Sequence, residues 1–193
     1  SPHRGASGFG LLLPHDQTVV FEVGEGFVAQ WHRHALDRSL KTIQVIWISH
    51  AHWDHYGGIV PLLTAMYKER QYKALQPGDQ ATKRMRVDQG PPPWVIASNK
   101  VFRYLDLMLK DEPKEHFRRI PHEDRSTISR VCCSLHSPTD SFQPFVFWEN
   151  VRVDHCANAY GFVAGLRLSD NKQEPPFVFC FSGDTRPCWR LVQ

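Results

Sequence analysis

The chain has 193 residues, 41% of them hydrophobic and 22% charged, with a formal net charge of +3. That length and apolar content suffice for one domain with its own core and exclude an extended disordered chain, while so mild a positive charge permits a nucleic-acid partner without requiring one. No apolar run approaches the ~20 residues needed to cross a bilayer, no basic segment leads into an apolar core at the N-terminus, and the odd set Cys132, Cys133, Cys156, Cys180 and Cys188 has no CxxC pair, which favours reduced thiols in an intracellular compartment.

In chain order, Thr18 to Val23 reads as a strand, followed by a tight turn at Gly24-Glu25-Gly26. Phe27, Val28, Trp31 and Ala35 recur at helical spacing, which leaves His32, Arg33 and Arg38 to solvent. The nearly continuous, β-branched run Ile43 to Ile48 predicts a buried strand that delivers His50 at its C-terminal end. After Gly57-Gly58 a short helix through Leu62, Leu63 and Met66 tolerates Pro61 in its first turn. From Tyr67 to Arg86 the sequence is polar and basic, and Gly90-Pro91-Pro92-Pro93 precedes a strand at Trp94 to Ala97. Ser98 or Asn99 then caps a helix with apolar positions Val101, Phe102, Leu105, Met108 and Leu109. Residues 111–143 are charged and turn-rich and read as irregular surface. Strands return at Phe145 to Trp148, Gly161 to Leu166 and Phe177 to Phe181. With no repeat or linker, residues 1–193 read as one domain.

The chemistry is concentrated in Ile48-Ser49-His50-Ala51-His52-Trp53-Asp54-His55-Tyr56-Gly57-Gly58. His50, His52, Asp54 and His55 are four metal-capable side chains within six residues, and neutral imidazoles with a carboxylate suit Zn²⁺ or a similar borderline ion. Two later motifs matter because of their order. His155 lies between two strands in Val153 to Gly161, and Asp184 lies in the turn Ser182 to Pro187 after another. A two-metal site needs a further imidazole for one ion and a carboxylate able to bridge both.

Glu22 to Gly26, His50 to His55, His155 to Gly161 and Ser182 to Pro187 together resemble the ordered motifs of the metallo-β-lactamase superfamily, and most closely those of the tRNase Z family, in its long eukaryotic form. The resemblance implies an αββα sandwich of two mixed sheets with helices outside. It implies that His50, His52 and His155 bind one zinc, that Asp54 and His55 bind a second, that Asp184 bridges them, and that Asp54 also orients or deprotonates the attacking water. Hydrolysis of precursor tRNA would leave a 3′-hydroxyl on the tRNA and a 5′-phosphate on the trailer. The family usually has aspartate where Glu22 stands, a carboxylate that steadies a ligand histidine. The family also carries a further metal-binding histidine and a leaving-group proton donor downstream of these motifs, so the expectation is a catalytic domain incomplete at both ends, weak or inactive by itself and holding two zinc ions only in the intact enzyme, accompanied by the N-terminal half of the same long chain or by a homodimer partner. Its compartment, by resemblance, is the nucleus or the mitochondrion.

Two other functions are compatible with the motifs: a hydrolase of the same superfamily acting on a small ester or thioester, and a non-catalytic remnant that binds RNA or a partner. Two further features are read as structural and a third is left between two readings. His32 and His34 point apart on a helix and are expected in solvent. Cys156 is expected to be a small buried thiol. Lys68, Arg70, Lys73, Lys83, Arg84 and Arg86 could track phosphates or form an ordinary solvated loop.

Overall fold

The computed structural model describes residues 7–35, 38–72, 91–110, 116–135, 143–167, 169, 171 and 173–191. Five strands form one sheet in the order β1 (Phe9–Leu13), β2 (Gln17–Phe21), β3 (Ile43–Trp47), β4 (Trp94–Ala97), β5 (Arg118–Pro121). β1 is antiparallel to β2, and β2 to β5 run parallel. A second sheet contains β6 (Phe145–Arg152), β7 (Tyr160–Leu166) and β8 (Phe177–Phe181). It is antiparallel throughout, where two mixed sheets are expected, because β6, β7 and β8 succeed one another without the long crossover a parallel neighbour needs.

The central strands β2, β3 and β4 are buried on both faces, which is why β3 has no polar side of its own. One face, with Val20, Ile46, Val95 and Ala97, packs under α1 (Phe27–His34), α3 (Ile59–Tyr72) and α4 (Asn99–Met108). The other, with Val19, Phe21, Val45, Trp47, Ile96 and Ile120, meets the second sheet. Aromatic rings fill that seam: Phe21 stacks on Trp148 and Phe162, at centroid distances of 5.7 and 4.8 Å.

Several expectations need correction. Residues 111–143 are not irregular throughout, since they contain β5 and α5 (Arg125–Cys133). Asp124 caps α5 by accepting from Thr127 N–H at 3.1 Å, and Ile128, Val131 and Cys132 enter the inter-sheet core. α3 continues through the polar stretch to Tyr72 because its charges serve the fold. Glu69 accepts from the Leu40 N–H and the Ser39 hydroxyl, and the buried Arg70 donates to the carbonyls of Met66, Pro91 and His116. Arg70 is therefore unavailable to a phosphate, and Lys73, Lys83, Arg84 and Arg86 lie outside the described residues. Arg38 lies beyond α1 and is half-buried, its carbonyl accepting from Trp31 Nε1. Met108 faces solvent, because α4 turns only Val101, Phe102 and Leu105 fully inward. Ser98 occupies the N-cap position of α4 but makes no side-chain cap bond. His32 and His34 are exposed, and the five cysteines are free.

Candidate metal centre

β3 ends at Trp47, and Ile48 N–H still donates to Ile96 on β4, so the chain reaches His50 from a rigid edge. A short helical turn, α2 (Trp53–Tyr56), then runs between His52 and Gly57. The backbone ties it to the end of β2: Val23 N–H donates to His55 O at 2.7 Å and Gly58 N–H to Val23 O at 2.8 Å. The approach at Gly58 leaves no room for a side chain, since a Cβ there would lie 2.2 Å from Gly24 O.

Glu22 steers the loop from below. Its backbone sits in the left-handed region at φ 60, unusual for a residue with a side chain, and its buried carboxylate accepts from Ser49 N–H at 3.2 and 3.3 Å. Glu22 Oε1 also lies 3.3 Å from Nδ1 of the buried His55. The carboxylate expected to steady a histidine is thus beside His55, and its longer side chain still reaches.

The other two motifs arrive from the second sheet. Tyr160 N–H donates to Ser49 O at 3.0 Å, joining the His155 loop to the metal loop. A Cβ on Gly183, which has φ +57, would lie 3.0 Å from Ser49 Cβ, so the turn carrying Asp184 abuts the same serine. Arg186 N–H donates to Asp154 O at 3.0 Å and holds the two loops together.

Two donor groups result, each with ligand atoms within 4.8 Å of one another: His50, His52, His155 and Cys156, and His50, His55 and Asp184. Asp54 is outside both, with Oδ2 3.6 Å from His55 Nε2, whereas Asp184 Oδ2 is 3.3 Å from that nitrogen. Cys156 is not the buried thiol expected: it is half-buried beside the three imidazoles. Burial raises its pKa, an effect partly offset by the Lys100 ammonium.

The donor set fits a cation. His52 Nδ1 lies 2.8 Å from His50 Nε2 and 3.2 Å from His155 Nε2, and one lone pair or one N–H on His52 cannot serve both contacts. Burial, then the neighbouring His55, His52 and His155, lowers the His50 pKa to about 4, which keeps its ring neutral and its lone pair free at neutral pH. Burial pulls His55 down too, but Glu22, Asp184 and Asp54 outweigh it and hold its pKa above the ordinary imidazole value. Three carboxylates around one imidazole form a field that attracts positive charge.

Sequence reasoning missed His122, on the turn after β5. Its Nε2 donates to Ile48 O at 2.7 Å, Asn150 Nδ2 donates to its Nδ1 at 2.8 Å, and its ring stacks on Tyr160 at 4.5 Å. Asn150 Oδ1 in turn accepts from Trp47 and Trp148 Nε1, so one polar chain crosses the seam directly beneath the metal loop. Burial lowers the His122 pKa to about 4 from 6.5. The unfolded chain therefore takes up this proton first, and stability falls as pH drops from 6.5 towards 4. That difference is worth about 3 kcal/mol once both states are protonated. Urea titrations at neutral pH and near pH 4 should show the parent losing about that much more stability than His122→Gln; parallel losses would show that His122 is not the acid-sensitive group.

The family model of the metallo-β-lactamase superfamily matches residues 11–66. The chain is 27% identical over 203 residues to zinc phosphodiesterase ELAC protein 2 of Mus musculus, an alignment covering 98% of this chain and 22% of that protein. It therefore spans about a fifth of the length of the curated relatives it matches. Among solved structures, the long-form RNase Z from yeast superposes with a TM-score of 0.60 at 20% identity, over 90% of this chain and 25% of the other. The human short-form tRNase Z superposes with a TM-score of 0.58 at 19% identity, over 95% and 64%. The architecture is the metallo-β-lactamase fold of these proteins.

Proposed function

We propose that this chain, whose fold is that of the metallo-β-lactamase superfamily, is a zinc-dependent endoribonuclease that removes 3′ trailers from precursor tRNA. The observation that carries the proposal is the convergence of His50, His52 and His155, and of His50, His55 and Asp184, from loops of both sheets onto one small volume. Similarity to proteins named zinc phosphodiesterase and RNase Z supports the metal and the phosphodiester.

In this reading His50, His52 and His155 would hold one zinc, and Asp54, His55 and Asp184 would supply ligands to a second. Two bound zinc ions would supply a water acidified towards neutrality and positive charge beside the attacked phosphate. Asp54, mostly solvent-facing, is the carboxylate free to orient that water and take its proton. Glu22 fixes the His55 ring through Nδ1 and leaves Nε2 turned towards Asp54 and Asp184. No protein nucleophile is needed.

The intact, zinc-loaded enzyme incubated with a precursor tRNA bearing a 3′ trailer should yield a tRNA with a 3′-hydroxyl and a trailer with a 5′-phosphate. Turnover of a small ester or thioester with the RNA left intact would replace this reading with that of another hydrolase of the same fold.

A further inference from the structure

Trp53 stands between His52 and Asp54, and its side chain is 52% exposed, whereas Trp31, Trp47 and Trp148 are buried. Burying so large an aromatic surface is favourable, so an indole left half in water beside a reaction site is a candidate contact for something that arrives there. The ring is held in place. It rests on Gly57, where a Cβ would lie 2.7 Å from Trp53 Cε2, and Tyr56 and Tyr104 flank it at ring-centroid distances of 5.6 and 5.8 Å. Both tyrosines are nearly perpendicular to it, at 75° and 84°, so neither is stacked on the indole. Lys100 lies one helical turn before Tyr104 on the same side of α4, exposed, and its charge reaches Cys156 next to His155.

We propose that Trp53 is a stacking platform for an unpaired base beside the cleaved phosphodiester, with Lys100 attracting the neighbouring phosphate. The proposal rests on the endoribonuclease reading and narrows it to a junction whose bases are single-stranded. A flat π-face beside a cation is the combination that unpaired nucleotides use, because every base can stack and the backbone needs only positive charge. A paired base, already stacked within a duplex, would gain nothing from the indole.

The test is a cycle between protein and RNA. Parent protein and Trp53→Ala are assayed on a precursor tRNA and on versions in which each nucleotide flanking the cleavage position is made abasic in turn, with zinc content measured for every protein. Trp53→Ala should raise KM on the intact RNA roughly 5- to 150-fold. Removing the stacked base should cost the parent a similar factor and cost Trp53→Ala almost nothing further, and Trp53→Phe should restore most of the affinity. Equal activity of Trp53→Ala and parent would overturn the proposal. So would an equal loss on intact and abasic RNA, which would mark Trp53 as a support for the metal loop. A parent protein that never cleaves the precursor would instead bring down the endoribonuclease reading, and this inference with it.

Discussion

Asp54→Ala is expected to lower kcat on precursor tRNA by about 10²- to 10⁴-fold, the range that a positioned proton acceptor contributes. RNA affinity should change far less, because an anionic carboxylate supplies none of the attraction to phosphates on which that affinity depends. The substitution suits the question because the Asp54 side chain is 63% exposed, and its loss opens no cavity in the core. The imidazoles around it serve as ligands in the proposed reading, whereas the Asp54 carboxylate would act as both ligand and base. Single-turnover rates on trailer-bearing RNA provide the measurement, and a rate within about tenfold of the parent would show that water activation does not depend on Asp54.

His52→Ala should remove zinc while sparing the fold. The ring is exposed, yet its Nδ1 is the nitrogen shared by the contacts to His50 and His155. Without it, the first group keeps two imidazoles and a thiol that burial biases towards protonation. After dialysis against buffered zinc, the intact parent enzyme is expected to hold about two equivalents per chain and the variant about one. Unchanged metal content would take His52 out of the ligand set.

The metal loop was legible in the sequence because its chemistry is local. His50, His52, Asp54 and His55 are packed into six residues after an apolar strand; the structure puts His50 and His52 in one donor group and His50 and His55 in another, with Asp54 outside both. Glu22 was legible through the motif order. β5 was not, since only Ile120 among Arg118–Pro121 is buried and the strand exists by pairing with β4 from a distant segment. α5 left a signal that charge obscured: Asp124 in a capping position, then Ile128, Val131 and Cys132 at helical spacing. His122 could not be found this way. A single histidine after a charged stretch has no pattern, and its partners Ile48 and Asn150 are 74 and 28 residues away.

The candidate ligands are divided between the two sheets, with His50, His52, Asp54 and His55 placed after β3 and with His155 and Asp184 in loops bordering β7 and β8. An ion gripped by both sets would act as a cross-brace between the layers, and its binding energy would enter the folding equilibrium. By mass action, each tenfold rise in free zinc above the dissociation constant would add about 1.4 kcal/mol to the native state. The supply of metal would then set how firmly the two layers are held together as well as how fast the molecule works.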